Sequence, residues 1–289
     1  MSVVSRFAPS PTGPLHLGHA YSAMLAHDYA RERGGTFLLR IEDIDPGRSR
    51  AAHVDGIIED LISLGLSFDG EILYQSERLG LYADALARLR DEELVYPCFC
   101  TRSSIAAEIA ASAAAPHGPD GPLYPGTCRR LASEERERRI AGAEPHAWRL
   151  DMARAAAFAG PLYWEDGDTE VHADPLAFGD VVLARKDAPV SYHLAVTVDD
   201  AAQGVTDVVR GRDLYAATDV HRLLQALLGL PVPHYHHHPL LSDAQGRRLA
   251  KRNGAPTLAG LRAAGVDPAA LADDLRAGRL PAGYSAAGT

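Results

Sequence analysis

The stretch Val3-Val4-Ser5-Arg6-Phe7-Ala8-Pro9-Ser10-Pro11-Thr12-Gly13-Pro14-Leu15-His16-Leu17-Gly18-His19 decides the fold. Val3 to Phe7 reads as a short strand. The Pro/Gly-rich run Ala8 to Pro14 interrupts regular structure. From Gly18 to Arg33 the placement of Ala, Leu and Met predicts a helix, and Gly34-Gly35 stops it. Thr36 to Ile41 is rich in β-formers and predicts a second strand. Strand, turn, helix, strand is how a parallel α/β unit begins. The expected fold class is therefore α/β, built on a Rossmann-like parallel sheet.

Working outward, Val54, Ile57, Ile58, Leu61 and Ile62 form an apolar stripe at helical spacing. Ser76 reads as the N-cap of a further helix, with Leu79, Tyr82, Leu86 and Leu89 on one face. Beyond Tyr96 the pattern changes. Residues 102–127, rich in Ala, Gly and Pro, read as a loop-rich insertion, followed by a charged helical stretch from Ser133 to Arg139. Strand signals return at Asp180 to Ala184 and Leu194 to Val198, and Asp219 to Leu228 predicts a helix ending near Gly229. The last forty residues read as short helical pieces with a frayed Ala/Gly-rich tail. The expected organisation has the first half of the α/β domain in residues 1–90 and an insertion in 91–180. The second half follows in 181–245, and a short helical region in 246–289.

Composition narrows the function. With 46% hydrophobic and 23% charged residues the chain reads as a globular protein, and no apolar run of about 18 residues suggests a membrane span. Met1 to Gly13 lacks the apolar core of a secretory signal. Three cysteines make no disulfide framework, so a reducing cytoplasm is expected. A net charge of -9 repels phosphate in bulk, so any nucleic-acid contact must be local. Only two lysines occur, Lys186 and Lys251, among 29 basic residues, which draws attention to both.

Four groups of residues carry chemistry. His16-Leu17-Gly18-His19 sits where a strand feeds a helix. Unpaired N–H groups and a partial positive charge there suit phosphate, and Gly18 permits close approach to the backbone. As a bare four-residue pattern it is equally a Pro/Gly turn with two surface histidines. Arg40-Ile41-Glu42-Asp43-Ile44-Asp45 follows the second strand, where Glu42 can meet a ligand ammonium group; alone it reads as a solvated acidic turn. A ligand carboxylate calls for an arginine able to grip it with two N–H groups, and Arg6 and Arg210 are the candidates. Cys98, Cys100 and Cys128 supply three thiolates within one insertion, so a zinc site needs a fourth partner. His234, His236, His237 and His238 read instead as a loop-to-strand segment, because neighbours on a strand face opposite ways.

Arg6 to His19 closely resembles the first signature of class I glutamyl- and glutaminyl-tRNA synthetases, the segment that in that family binds ATP and the amino acid. Arg40 to Asp45 resembles the family's R-I-E-D-x-D segment, Ser191-Tyr192-His193-Leu194-Ala195 its A-Y-x-L-A, and Val208 to Asp213 its V-x-R-G-x-D. Asp199-Asp200 fits the same setting beside the substrate. Leu241 to Arg252 resembles the region of the second signature, K-M-S-K-S. Lys251 matches a lysine, whereas Arg248, Leu249, Ala250 and Arg252 replace the other four residues. C-x-C…Y-x-x-x-C over Cys98, Cys100, Tyr124 and Cys128 resembles the zinc pattern of the family's short glutamyl-queuosine members.

The resemblance implies a class I synthetase catalytic domain with an inserted zinc-knuckle subdomain and a short helical C-terminal piece. It assigns catalysis to His16, His19 and Lys251, and ATP with Mg2+ to His16, Gly18, His19, Arg248 and Lys251. Glutamate falls to Arg6, Phe7, Ala8, Pro9, Ser10, Glu42, Tyr192 and Arg210, and one structural zinc ion to Cys98, Cys100, Tyr124 and Cys128. Thr289 lies 38 residues beyond Lys251, so no anticodon-binding domain is expected. The implied partners are L-glutamate, ATP and tRNA(Asp) carrying queuosine, with no membrane, and a monomer is expected. The implied reaction forms glutamyl-adenylate and passes the glutamyl group to queuosine. The rivals are esterification of a tRNA 3′ end, glutamylation of a small molecule or carrier protein, and a non-catalytic tRNA-binding paralogue. Arg136, Arg138 and Arg139 are expected to form a solvated face rather than an RNA contact.

Overall fold

Strand β1 (Val4–Phe7) passes through the Pro-rich turn into helix α1 (Leu17–Glu32) and then strand β2 (Thr36–Ile41), as the local pattern predicts. The computed structural model describes residues 2–111, 117–119, 121–243, 245, 247, 249, 256–281 and 283–287. Helix α1 is small-sided, and Leu17, Ala20, Ala23, Met24, Ala26 and Ala30 are all buried, so it packs closely against the sheet. Helix α2 (Ala51–Ser63), the short strand β3 (Leu73–Tyr74) and helix α3 (Leu79–Asp91) follow. Ser76 is not a helix N-cap. It lies in a 3-10 turn, and its N–H and Oγ donate to the Asp43 carboxylate at 2.8 and 2.6 Å. Consequently α3 buries Tyr82, Ala85 and Leu89 and leaves Leu79 exposed.

The insertion holds β4 (Val95–Cys98), α4 (Arg102–Ala111), the two-residue strands β5 (His117–Gly118) and β6 (Gly121–Pro122), and α5 (Ser133–Ala141). It continues through β7 (Ala147–Leu150), α6 (Met152–Ala159) and the hairpin of β8 (Tyr163–Asp166) and β9 (Thr169–His172). The segment read as loop-rich therefore contains a helix, α4. Next come β10 (Val182–Ala184), α7 (Tyr192–Ala202), β11 (Asp207–Gly211), α8 (Ala217–Leu228) and β12 (His234–His238). The described chain closes with β13 (Leu240–Asp243), α9 (Leu258–Ala263), α10 (Pro268–Arg276) and β14 (Tyr284–Ala287).

β1, β2 and β3 form one parallel set, and β11, β12 and β8 another with β9 antiparallel at its edge. The sets meet where the Thr206 N–H donates to the Val4 carbonyl at 2.9 Å, so β1 lies beside β11. One apolar core joins α1, α2, α9 and α10 to β1 and β2; a second joins α3, α6, α7 and α8 to β11 and β12. β7 and β4 of the insertion join β10 in a separate antiparallel sheet.

Two local expectations fail. Leu194 to Val198 is helical, within α7, where all seven residues from Leu194 to Asp200 are buried. Burial on every side erases the helical period and leaves a β-branched run that reads as a strand. Tyr284 to Ala287 is not frayed. It pairs antiparallel with Leu240 to Asp243 through four residues, a partnership no local pattern encodes. No described helix is long and apolar enough to cross a membrane.

Candidate active site

A cleft of about 390 Å³ opens at the C-terminal ends of β1 and β11, where two parallel sets meet and open α/β sheets bind ligands. Arg6, Phe7, Ala8, Ser10, His16, Gly18, His19, Glu42, Tyr192 and Arg210 line it. Pro9 is buried behind this wall, where its carbonyl accepts the Glu42 N–H at 3.0 Å. Arg248 and Lys251 lie outside the described residues.

His16 is the N-cap of α1, and its Nδ1 accepts the Gly18 N–H at 3.1 Å. His19 returns the favour one turn on, its Nδ1 accepting the His16 N–H at 3.1 Å. The rings lie 3.7 Å apart. With both Nδ1 atoms accepting, each neutral ring carries its proton on Nε2, as a donor. The two histidines thus stabilise the helix end, and a helix N-terminus lining a cleft suits phosphate. Gly18 fits closely against the cap itself: a Cβ there would meet His16 Cε1 at 3.1 Å, so the imidazole would have to give by a few tenths of an ångström. Gly211 is tighter still, since a Cβ would meet Asp213 Oδ1 at 2.5 Å and Leu240 Cδ2 at 2.8 Å.

The acidic residues divide. Asp199 and Asp200 do not line the cleft; they anchor its wall. Asp200 accepts from Arg6 Nε and Nη2 at 3.0 and 3.2 Å and from Arg40 Nη2 at 2.8 Å. Asp199 accepts from Gln75 Nε2, Arg78 Nε and Tyr82 Oη at 2.8, 2.8 and 2.7 Å. Glu42 faces the cleft with Oε1 3.7 Å from Arg40 Nη2. Burial pushes its carboxyl up to about 7, against the pull of Arg40 and Arg6. At neutral pH such a carboxyl is only part-ionised, and a cation in the cleft would favour its charged form.

The two arginines are not equivalent. Arg6 is already committed to Asp200. Arg210, 5% exposed, has no carboxylate within ion-pair distance among the described residues. Instead it donates to His237 Nε2, His221 Nδ1, the Leu214 carbonyl and Thr218 Oγ1 at 3.1, 3.3, 3.1 and 2.6 Å. Sequence reasoning placed Arg40, His221 and Thr218 in no role. Arg40 sits beside Glu42 in a motif already singled out, whereas nothing local marks His221 or Thr218.

In the insertion the three cysteine sulfurs lie within 4.8 Å of one another, Cys100 and Cys128 3.5 Å apart. Tyr124 Oη is 3.4 Å from the sulfurs of both Cys98 and Cys100. Tetrahedral zinc with bonds near 2.3 Å to sulfur sets its ligands roughly 3.8 Å apart, so the donor set fits the ion. The other lysine, Lys186, donates to the Phe99 carbonyl at 2.8 Å, between two of these cysteines, and Arg185 pairs with Asp45 at 3.5 Å. These contacts tie the knuckle to the loop after β2. Arg138 and Arg139 pair with Glu135 and Glu144, and Arg136 donates to the Arg129 carbonyl, so α5 offers little unpaired positive charge.

The family of class I (E and Q) tRNA synthetase catalytic domains matches residues 2–281. The chain is 52% identical over 277 residues to the glutamyl-Q tRNA(Asp) synthetase of Rhodobacter capsulatus, covering 92% of this chain and 97% of that protein. Its identity to the protein of the same name from Deinococcus radiodurans is 47% over 275 residues, covering 95% of this chain and 88% of that one. Among solved structures, the glutamate-tRNA synthetase from Elizabethkingia anophelis superposes with a TM-score of 0.80 at 27% identity, covering 95% of this chain. A glutamate tRNA ligase from Elizabethkingia meningosepticum, solved with its amino acid, gives 0.79 at 27% identity over the same share of this chain. The chain spans 61% and 60% of the length of those two structures.

Proposed function

The chain belongs to the family of class I glutamyl- and glutaminyl-tRNA synthetase catalytic domains, and from that premise we propose that it activates L-glutamate with Mg-ATP and transfers the glutamyl group to queuosine of tRNA(Asp). The observation that carries this reading is the cleft itself. One wall bears a buried arginine with no carboxylate within ion-pair distance among the described residues, another a buried glutamate, and the mouth two histidines whose Nδ1 atoms cap a helix N-terminus. Such a site takes a carboxylate, an ammonium group and phosphates together. The close relatives named for the glutamyl-Q reaction support queuosine as the acceptor.

The substrate α-carboxylate attacks the α-phosphorus, forming a carbonyl–oxygen–phosphorus anhydride as the bond to the β-phosphate breaks and pyrophosphate leaves. A hydroxyl of the queuosine cyclopentenediol then attacks the activated carbonyl, losing its proton as AMP departs. The protein supplies position and charge rather than a covalent intermediate. His16 and His19 hold phosphate oxygens, Glu42 the ammonium group, and Arg210 the side-chain carboxylate. Tyr192 lines the same cleft. Lys251 and Arg248 keep the phosphate role that the resemblance gives them.

Pyrophosphate exchange with each amino acid, without tRNA, is the test, followed by transfer of labelled glutamate to tRNA(Asp) with and without queuosine. Exchange with glutamate alone and transfer only to the queuosine-bearing tRNA are expected. Exchange with no amino acid would sink the reading; exchange without transfer would require a different acceptor.

Glu42 makes activity and stability respond to pH in opposite senses. Its raised carboxyl is neutral below about 7 and then offers an ammonium group no counter-charge, so KM for glutamate should climb as pH falls through neutrality. Because the folded protein holds that proton more tightly than the unfolded chain does, the stability from Glu42 is full below about 4.3 and lost as pH rises toward 7. Glu42→Gln should therefore raise stability at pH 8, by an amount on the order of 1–3 kcal/mol, while abolishing exchange. A melt at pH 8 that shows the variant less stable would contradict this.

Cys98, Cys100, Tyr124 and Cys128 would hold one structural zinc ion, pinning the insertion. Elemental analysis of the purified protein should find one equivalent, and Cys128→Ala should lose it. Exchange with glutamate should persist in that variant; its complete loss would show that the knuckle reaches into the cleft.

A further inference from the structure

A guanidinium has five N–H donors and no acceptor. In Arg210 four of the five are spent on neutral groups: Nε on His237 Nε2, Nη1 on His221 Nδ1, and both Nη2 protons on the Leu214 carbonyl and Thr218 Oγ1. Since arginine can only donate, both ring nitrogens must accept, and this settles two tautomers. His237 carries its proton on Nδ1, 3.0 Å from Asp166 Oδ1. His221 carries its proton on Nε2, 3.2 Å from His193 Nδ1. The shell is closed: Thr218 and His221 are 0% and 2% exposed, and the His237 side chain 0%. Burial first, and then the charge of Arg210, holds the His193 and His237 imidazoles down at about 4 and His221 well below the ordinary range, so all three rings are neutral near pH 7.

A buried arginine is ordinarily matched by an acid, as Arg6 on β1 and Arg40 on β2 are by Asp200 on α7. Among the described residues Arg210 touches only dipoles, and the Asp166 carboxylate reaches it only through His237. Its orientation is held on four sides, no carboxylate is within ion-pair distance among the described residues, and one Nη1–H remains for the cleft that it lines. We propose that Thr218, His221 and His237 are positioning residues that keep Arg210 aimed and uncompensated, and that this neutral shell makes the enzyme choose glutamate over glutamine. A carboxylate then completes the missing ion pair, whereas the neutral amide of glutamine leaves the guanidinium buried without a counter-charge. The single remaining N–H also revises the two-pronged grip expected of this arginine: selection comes from charge and one hydrogen bond rather than from a fork. The proposal rests on the reading that glutamate is the amino acid activated.

The test is pyrophosphate exchange with glutamate and with glutamine for the unaltered chain, Thr218→Asp, His237→Leu and His237→Gln, with thermal melts to show folding. Thr218→Asp sets a carboxylate where Oγ1 receives the Nη2 proton. It should raise KM for glutamate by about 100-fold, leave KM for ATP unchanged, and cut the glutamate-to-glutamine ratio of kcat/KM by a similar factor. His237→Leu, which removes an acceptor, should raise KM for glutamate about tenfold, and His237→Gln, which restores one, should return it most of the way. A folded Thr218→Asp variant whose ratio stays within about twofold of the unaltered chain overturns the proposal. If that variant does not fold, equal KM values for His237→Leu and His237→Gln overturn it. Absence of glutamate-dependent exchange in the unaltered chain overturns this proposal and the functional reading together; retained exchange with an unchanged ratio in every folded variant overturns this one alone.

Discussion

Replacing Arg210 with methionine is expected to lower kcat/KM for glutamate by 10²- to 10³-fold, with most of the loss in KM. Methionine preserves much of the length and apolar stem but removes the charge. A buried, hydrogen-bonded charge pair that loses one partner costs about 3–4 kcal/mol, which converts to that range. Arg210→Lys should do little better. A lysine ammonium has three donors on a flexible stem, and it cannot satisfy His237, His221, Thr218 and Leu214 together while pointing at the cleft. Steady-state exchange kinetics decide the matter. A methionine variant with wild-type KM for glutamate would show that another group holds the carboxylate, and Arg6 would be the next to examine. Arg6 starts from a different position, because Asp200 already takes two of its N–H groups.

The largest stability effect is expected at Asp200. Its two oxygens serve both Arg6, 5% exposed, and Arg40, 0% exposed, and Arg40 also donates to Gln203 Oε1 at 2.8 Å. Asp200→Ala would leave two buried guanidinium groups without their main counter-ion. Breaking a buried pair this way costs about 3–5 kcal/mol, a large part of the roughly 5–15 kcal/mol that holds a domain folded. Urea unfolding should show a midpoint lowered accordingly, and the variant should express poorly. Asp200→Asn, which keeps the shape and one acceptor, should fall between. Burial alone would raise the Asp200 carboxyl, but Arg6 and Arg40 outweigh it and hold the group below the usual carboxylate range. A depressed folded value means that its stabilisation is present above the unfolded carboxylate value near 3.9 and is lost as pH falls below it. The parent protein should therefore lose more stability on acidification than Asp200→Ala does. An equal acid response in the two would place the stabilisation elsewhere.

Asp200 and Glu42 show why neighbouring acids in one wall behave oppositely. Asp200 has two arginines in hydrogen-bond contact, and the Coulomb attraction exceeds its desolvation. Glu42 has Arg40 at 3.7 Å and no closer cation among the described residues, so desolvation wins. One carboxylate braces the fold; the other lines the cleft with no cation in hydrogen-bond contact among the described residues. The fold is thus least satisfied where the substrate is to bind.

The sequence by itself determined what depends on neighbours along the chain. The strand from Val4, the turn, the helix beginning at Leu17 and the strand from Thr36 follow from residue period and turn chemistry, and so does the helix that Gly229 ends in a left-handed conformation with φ of 62°. The fourteen residues from Arg6 to His19 also carried the family. What failed locally failed for a physical reason. Leu194 to Val198 is surrounded by protein on all sides, so its helical period vanished, and Tyr284 to Ala287 is ordered by a strand more than forty residues earlier. Ser76 has the residue type of a cap, but its partner, Asp43, lies 33 residues away.

Only the tertiary structure decided which charged groups are spent and which are kept. Arg6 and Arg210 each stand on a strand that opens onto the same cleft, and as residues they are interchangeable. Arg6 meets Asp200, 194 residues on, whereas Arg210 meets two imidazoles, a hydroxyl and a carbonyl. Asp199 and Asp200, which looked like substrate contacts, are turned into the wall by Arg78 and Arg6. The type of a side chain is local information, but its charge state and its freedom to bind depend on counter-ions and burial, and those are set by whatever the fold brings across the cleft.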